Sequence, residues 1–397
     1  MTPAGRAQAA IELLDQIVAA AREGGAAADT LIARYFKTRR YAGSKDRRAV
    51  RDLVYRAIRR AGEIPESGRA ALMAVAMEDG ELAAAFDGSA HGPEPIGAEE
   101  AAAPAGLAPA WLAERLKRSL DESELAALLG RAPLDVRVNA LRATREAVLP
   151  SVPGAAPTPH APMGLRLPEG TQVEALPAFA EGRIEVQDEG SQIVTAMAAA
   201  APGMTVVDLC AGAGGKTLGL AAAMQGPRPG EGRLVACDAD RTRLARLMPR
   251  AERAGIGPVD VRLLDPGREA AALADLAGAA DVVLVDAPCS GTGTWRRNPE
   301  ARWRLTAARL DRLVALQARL IRIAADLVKP GAYLVYIVCS LLDEEGADQI
   351  DAFLGNNPGW TVDGLVPMAG RQHRAGFRLT PARDQTDGFF VARLKRP

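Results

Sequence analysis

The sequence has little of what would build a metal centre or a disulfide scaffold. It holds four cysteines and three histidines in 397 residues. No two cysteines stand in a CxxC spacing, and His91, His160 and His373 lie far apart. Neither a zinc site nor a disulfide framework is therefore expected. No apolar run is long enough to span a bilayer, and Glu12 and Asp15 interrupt the first apolar segment. A membrane span and a secretory signal are thus not expected, and the reducing cytoplasm is the default compartment. An excess of charge is also missing, because 49 basic residues face 49 acidic ones. Gross charge cannot hold such a chain to nucleic acid, so any such binding must use local patches.

What is present is ordinary globular composition, 48% apolar and 25% charged. A chain of this length predicts two or three domains of ~100–200 residues each. Helical spacing recurs in residues 6–62, through Ile11, Leu13, Leu14, Ile17 and Val18 and later Leu53, Val54 and Ile58. Between them runs a basic stretch that includes Lys37, Arg39, Arg40, Lys45, Arg47, Arg48 and Arg51. Residues 63–100 turn acidic and alanine-rich, 87–109 read as a Gly/Pro loop, and 112–129 read as helix again. Leu134, Val136 and Val138 alternate with polar residues, which signals a strand. A Pro-rich stretch from Pro150 to Pro162 suits a loop or a small appended unit.

From residue 184 the pattern is regular. Apolar strands at 205–209, 233–237, 259–264, 281–285 and 332–338 alternate with helical segments. That alternation predicts an α/β fold, a doubly wound parallel sheet with helices on both faces. A last strand over 388–394 is expected at or near a sheet edge. The domains expected are 1–125, 126–183 and 184–397.

Val206 to Thr217 reads strand, glycine turn, helix, with the turn formed by Cys210, Ala211, Gly212, Ala213, Gly214, Gly215 and Lys216. A Walker A loop would need glycine at Cys210, and the dinucleotide fingerprint would need Gly or Ala at Thr217. Both fail. An acidic strand residue ahead of a glycine loop suits a nucleoside ligand without a triphosphate, and S-adenosylmethionine (SAM) is the candidate. The plainer alternative is a tight turn without a ligand. Three carboxylates weigh against it: Asp238 ends the second strand, Asp265 follows the third and Asp286 ends the fourth. One strand-end aspartate is commonly a cap or turn former. Several at successive carboxyl ends mark the crevice where open α/β sheets bind ligands.

Cys289 follows the fourth strand in Asp286-Ala287-Pro288-Cys289-Ser290-Gly291, and Cys339 ends the fifth. The two strands are expected to be neighbours, which brings both thiols to one crevice. Cys237 instead sits in an apolar strand and reads as a small core residue. Transfer of a methyl group to nitrogen or oxygen needs no thiol. Carbon 5 of a pyrimidine does, because a thiolate adding to carbon 6 turns the ring into an enamine. Asp286 is placed to hold the pyrimidine edge.

From about Arg131 to the C-terminus the chain resembles the Nol/Nop/Sun family of RNA cytosine-5 methyltransferases. The resemblance rests on Arg137-Val138-Asn139, Val186 to Ser191, Cys210 to Thr217, Asp286 to Gly291, Arg296 to Pro299, Cys339-Ser340 and Thr386 to Phe390. It implies Cys339 as nucleophile and Cys289 as the group that assists product release. It also implies SAM contacts from Cys210 to Lys216 and from Asp238, Arg243, Asp265 and Asp286. Lys216 would orient or neutralise Asp286. Ala213 stands where the family commonly has Pro, and Val338 where Thr precedes the nucleophile; neither change removes a reacting group.

Residues 1–125 resemble, more weakly, the helical NusB-like domain of the family's bacterial small-subunit ribosomal RNA member. Tyr35-Phe36, Lys45 to Arg48 and Leu53 to Arg56 carry this likeness. The resemblance implies an RNA-binding helical domain, an RRM-like connecting unit over 126–183 and a ribosomal RNA substrate. Apart from the resemblance, a monomer is expected. Lys45, Arg47 and Arg48 are candidate RNA contacts, although a solvated helix face would look the same. Arg296, Arg297, Arg302, Arg304, Arg309 and Arg312, interleaved with Trp295 and Trp303, suggest a groove with phosphate contacts and stacking platforms. The alternative there is a core Trp303 beside a solvated face. A transfer RNA substrate and a non-catalytic ribosome-assembly factor are the competing functions. A DNA cytosine methyltransferase would carry a Glu-Asn-Val motif, and an amino-methyltransferase an Asp/Asn-Pro-Pro-aromatic motif; neither is present.

Overall fold

The computed structural model describes residues 1–224 and 232–397. The chain divides into two compact units, one of residues 1–131 with 294–307 and one of residues 132–293 with 308–397.

The first unit is helical. Helix α1 (Pro3–Glu23) starts where Thr2 Oγ1 accepts from Gly5 N with Pro3 at the first position, and it ends at Gly24 in the left-handed region. Its buried stripe of Ile11, Leu13, Leu14, Ile17 and Val18 joins a core with residues of α2 (Ala28–Thr38), α3 (Ser44–Arg60) and α4 (Gly68–Ala76). The stretch 112–129 is not one helix. It forms two short ones, Ala110–Leu116 and Glu122–Ala127, because Asp121 and Glu124 make a capping box that starts the second.

Residues 294–307 complete this unit. Arg302 is fully buried and donates through Nη2 to the carbonyls of Ile58, Arg59 and Ala61 at 2.5, 3.0 and 2.9 Å. These oxygens close the C-terminal end of α3, where carbonyls lack helical partners and the macrodipole favours a cation. Trp303 Nε1 donates to the Ala61 carbonyl at 3.0 Å, and Ala28 N donates to Glu300 Oε1 at 3.0 Å. Burial pushes the Arg302 guanidinium down to about 9.

The second unit contains two sheets. Strands β1 (Leu134–Val138), β2 (Ala156–Pro157), β3 (Gly164–Leu167) and β4 (Ile184–Val186) form an antiparallel sheet in the order β2-β3-β1-β4. The stretch 134–186 thus has a sheet of its own within the same compact unit as the larger one. The larger sheet holds β5 (Thr205–Asp208), β6 (Arg233–Asp238), β7 (Asp260–Leu263), β8 (Ala280–Asp286), β9 (Val328–Val338), β10 (Thr361–Val362), β11 (Arg371–His373), β12 (Gly376–Leu379) and β13 (Phe389–Lys395). Its order is β11-β12-β13-β9-β8-β5-β6-β7, with β10 against β13. The run β7-β6-β5-β8-β9 is parallel.

Alternate side chains of this parallel run face two helical layers. Val207, Val235, Val283 and Tyr336 share a core with α8 (Ala307–Leu327) and α9 (Ala347–Asn356). Val206, Leu234, Val282 and Val335 share one with α5 (Glu189–Ala196), α6 (Gly215–Met224) and α7 (Leu247–Ala254). The sheet is therefore doubly wound. The last strand, however, is interior. β13 pairs antiparallel with both β9 and β12, so its residues 389–394 are buried. Its nearly continuous apolar run is the pattern of a strand covered on both faces, not of an edge.

Candidate active site

The order of the parallel strands switches between β5 and β8, and the glycine loop leaves β5 at this switch point. Gly212 and Gly214 take positive φ, +55° and +86°. A Cβ on Gly214 would lie 2.8 Å from Leu247 Cγ, so the turn needs glycine there. Asp238, at the end of β6, holds the loop: Gly212 N donates to its Oδ2 and Asp240 N to its Oδ1, each at 2.7 Å. The exposed Arg243 lays its guanidinium against Gly212. Asp265 is exposed just past β7. Space beside Gly215, the first residue of α6, is open to 4 Å.

Lys216, the second residue of α6, is buried and places Nζ 2.7 Å from Asp286 Oδ2 at the end of β8. Burial opposes its charge, but Asp286 outweighs burial and holds the ammonium above the ordinary lysine range. Asp208 is fully buried and accepts from Thr217 Oγ1 at 2.7 Å through Oδ2, while Oδ1 has no protein partner. Burial pushes this carboxyl up to about 7, against the Thr217 bond, with Asp286 and Asp238 adding to the rise.

The two thiols meet as the strand order predicts. β8 and β9 are parallel neighbours with Asp286 opposite Ile337. Cys289 Sγ and Cys339 Sγ are 3.4 Å apart, both half-buried. Gly293 N donates to the Cys339 carbonyl at 3.1 Å, which fastens the loop after β8 to the end of β9. The hydrogen bond with Cys339, then burial, then the charges of Cys339 and Glu345 push the Cys289 thiol well up. Cys210 is raised by burial and by Asp208, Asp238 and Asp286. Cys237 is a core residue, pushed up to about 12 by burial.

Sequence reasoning passed over Glu345. It is fully buried and accepts from Ser290 N at 2.8 Å, Gln317 Nε2 at 3.0 Å, Ser340 Oγ at 2.5 Å and Ser290 Oγ. The available signal was that Ser290 and Ser340 each follow a reactive-site cysteine, so their hydroxyls need partners nearby.

The basic residues divide. Lys45, Arg47 and Arg48 are exposed at the start of α3, and Arg297 is half-buried. Arg296 is 8% exposed and Arg302 0%; Trp295 and Trp303 are 1% and 3% exposed. The expectation of stacking tryptophans and a run of phosphate-reaching arginines is corrected here. Trp303 and Arg302 fill the helical unit, one in its apolar core and the other at the carbonyls that end α3. Arg309 and Arg312 lie exposed on α8.

Sheet order, glycine loop and strand-end carboxylates together define a Rossmann-like methyltransferase fold. The family described as 16S rRNA methyltransferase RsmB/F matches residues 195–395. The chain is 35% identical over 295 residues to ribosomal RNA small subunit methyltransferase B of Salmonella arizonae, covering 72% of this chain and 66% of that protein. It is also 35% identical over 306 residues to the probable ribosomal RNA small subunit methyltransferase B of Synechocystis, with the same coverage. The match thus spans just under two thirds of these relatives' length. Among solved structures, PH0851 superposes over 100% of this chain and 99% of its own, with a TM-score of 0.79 and 26% identity. A methyltransferase homologue from Pyrococcus horikoshii covers 72% of this chain and 95% of its own, with a TM-score of 0.63 and 25% identity. The chain belongs to the RsmB/F family of 16S rRNA methyltransferases.

Proposed function

We propose that this chain transfers the methyl group of SAM to carbon 5 of a cytosine in small-subunit ribosomal RNA, through a covalent bond between Cys339 and carbon 6. The observation that carries the reading is the 3.4 Å pair of thiols at the ends of two adjacent parallel strands, with Lys216 bonded to Asp286. Family membership supports the substrate class.

SAM fits the residues present. The positive-φ glycines bring backbone close to a ligand, the space at Gly215 is open, and Asp208 Oδ1 is a buried acceptor without a partner. The loop Cys210–Lys216 with Asp238, Arg243, Asp265 and Asp286 would hold it, and it would supply an electrophilic methyl group.

The protein's own groups then act in order. The Cys339 thiolate adds to carbon 6, forming an S–C bond and pushing the C5–C6 π pair through carbon 4 to N3. As that charge develops N3 takes a proton through Asp286, which is bonded to the Lys216 ammonium at 2.7 Å, and the proton returns when the adduct breaks down. Carbon 5 takes the methyl group and S-adenosylhomocysteine leaves. A base removes the carbon 5 proton, the S–C bond breaks and Cys339 departs as thiolate. Cys289 assists this elimination. The target base must leave its stack to reach the thiols. The reaction as written uses no metal.

We read the helical unit as a NusB-like RNA-binding unit, with exposed Lys45, Arg47, Arg48 and the half-buried Arg297 as phosphate contacts. The protein would act as a monomer in the cytoplasm. A trapping experiment tests the reaction. The Cys289→Ala variant, incubated with SAM and bacterial RNA, should accumulate a covalent protein–RNA adduct, and Cys339→Ala and the double variant should give none. An adduct that needs Cys289 and survives loss of Cys339 would reverse the two roles. SAM binding with no adduct from any variant would favour an assembly factor.

A further inference from the structure

The two thiols are braced to meet each other as well as a pyrimidine. Cys289 Sγ and Cys339 Sγ are 3.4 Å apart. A disulfide needs about 2.05 Å, so closure asks each sulfur to move by less than about 1 Å. Bonds on both sides of the thiols hold the two segments together. Ahead of them, β8 and β9 pair in parallel as far as Asp286 and Ile337, and Ala287 N donates to the Ile337 carbonyl at 2.9 Å. Past them, Gly293 N donates to the Cys339 carbonyl at 3.1 Å and Leu341 N to Thr292 Oγ1 at 2.8 Å. Between these, Ser290 Oγ and Ser340 Oγ lie 3.2 Å apart, and both donate to the Glu345 carboxylate. Strands so paired run about 4.8 Å apart, inside the Cα separation of roughly 4.4–6.8 Å that a disulfide spans. None of these bonds uses a sulfur, so closing the thiols leaves them intact. Both cysteines are half-buried, which lets a small oxidant in, whereas Cys237 lies in the core.

We propose that Cys289 and Cys339 form a reversible modification site, closing to a disulfide when the chain meets a hydroperoxide and reopening with a thiol reductant. The bond itself stands on this geometry; its effect on activity rests on the reaction proposed above. The Cys339 thiolate attacks one peroxide oxygen, the O–O bond breaks, and a sulfenic acid and hydroxide form. The hydroxide takes a proton and leaves as water. Cys289 gives up its proton and attacks the sulfenic sulfur, the S–O bond breaks, and a second water leaves as the S–S bond forms. Two electrons pass from the sulfurs to the peroxide. A dithiol reductant opens the bond by exchange, is itself oxidised, and returns both thiols. A sulfenic acid with no thiol beside it goes on to sulfinic acid, which a thiol does not reverse. Cys289 thus stores the nucleophile in a recoverable form, and the closed pair leaves no thiolate for carbon 6. A transient disulfide of this kind is the sort that a reducing compartment permits.

The test treats the 397-residue chain with hydrogen peroxide in the absence of SAM and RNA, blocks free thiols with iodoacetamide and maps the peptides by mass spectrometry. The wild type should yield a peptide pair linked through Cys289 and Cys339, which disappears after dithiothreitol. At the same dose Cys289→Ser should carry several-fold more sulfinic and sulfonic acid on Cys339. Oxidised wild type, returned to SAM and bacterial RNA, should have lost nearly all methyl transfer and should regain it with dithiothreitol. Sulfinic acid on wild-type Cys339 without the linked pair overturns the proposal, as does a link that joins Cys339 chiefly to Cys210. Both thiols still open to alkylation at a dose that oxidises the exposed Met77 would also overturn it. Equal over-oxidation in wild type and Cys289→Ser removes the protective role. The wild-type measurements stand alone even where Cys289→Ser does not fold. A linked pair in a chain that never methylates RNA refutes the reaction proposed above and leaves the disulfide standing.

Discussion

Lys216 Nζ and Asp286 Oδ2 lie 2.7 Å apart, a contact that joins the helix after the first parallel strand to the end of the fourth. Its removal leaves Asp286 without a cation and Cys339 without a positive neighbour. Lys216→Met should lower the single-turnover methyl-transfer rate by about 100-fold or more, within the range for a positioned acid–base group. SAM affinity, measured by calorimetry, should change only a few-fold. Weakened SAM binding with an unchanged rate at saturating SAM would put Lys216 in the cofactor site alone.

Asp208 predicts a pH effect on stability. Its carboxyl holds a proton up to about 7 in the folded chain, whereas an unfolded one releases it near 3.8. The folded state binds the extra proton in that window, so this residue's contribution to stability falls as pH rises from about 4 to about 7. The full shift corresponds to roughly 4 kcal/mol. Asp208→Asn removes the charge while its carbonyl can still accept from Thr217. Its gain in Tm over the wild type should be larger at pH 8 than at pH 5; an equal gain at both would count against a buried ionising carboxylate.

Gly293 predicts a steric effect. A Cβ there would stand 2.1 Å from the Gly388 carbonyl oxygen, and the two backbones are bonded at 2.8 Å through Gly388 N and Gly293 O. Gly293→Ala must push the loop after Cys289 away from residues 386–389, costing roughly 1–3 kcal/mol. The trapped adduct should fall with it. Gly355→Ala in α9, with open space around it, should leave the denaturant midpoint unchanged or raise it.

The parallel strands were readable because their apolar runs alternate with helical spacing and end in a glycine loop, an aspartate or, for β9, a cysteine. Each of β5 to β9 lies where that pattern puts it, and the meeting of Cys289 with Cys339 follows from β8 and β9 being neighbours. β11 and β12 were not readable. They are three and four residues long and polar in part, so nothing local marks them as the strands that make β13 interior. Arg302 and Trp303 were misread for another reason. An arginine-rich segment looks solvated until the carbonyls it caps are known, and those belong to α3, far earlier in the chain. Glu345 was hidden in the same way, since three of its four donors come from Ser290 and Gln317, distant in sequence.

The helical unit gives a fourth prediction. Arg302→Met should leave the Ile58 and Arg59 carbonyls at the end of α3 without their side-chain donor and cost roughly 3 kcal/mol or more. Trp303→Ala should cost about 3–5 kcal/mol through the cavity left behind. Urea denaturation measures both. Values near zero would mean that residues 294–307 are dispensable to the helical core.

Because Trp303 and Arg302 belong to that core, the helical unit cannot finish folding when its first 131 residues have emerged from the ribosome. The missing pieces arrive only after β5 to β8 and the Cys289 loop have been made, roughly ten to thirty seconds later at ordinary elongation rates. Until then the carbonyls of Ile58, Arg59 and Ala61 lack the donors that Arg302 and Trp303 bring, and an apolar hole waits for an indole. The unit that comes first in the chain is thus closed by a segment translated after most of the catalytic strands. A nascent chain stalled before residue 303 would carry an open helical unit, a substrate for chaperones and proteases.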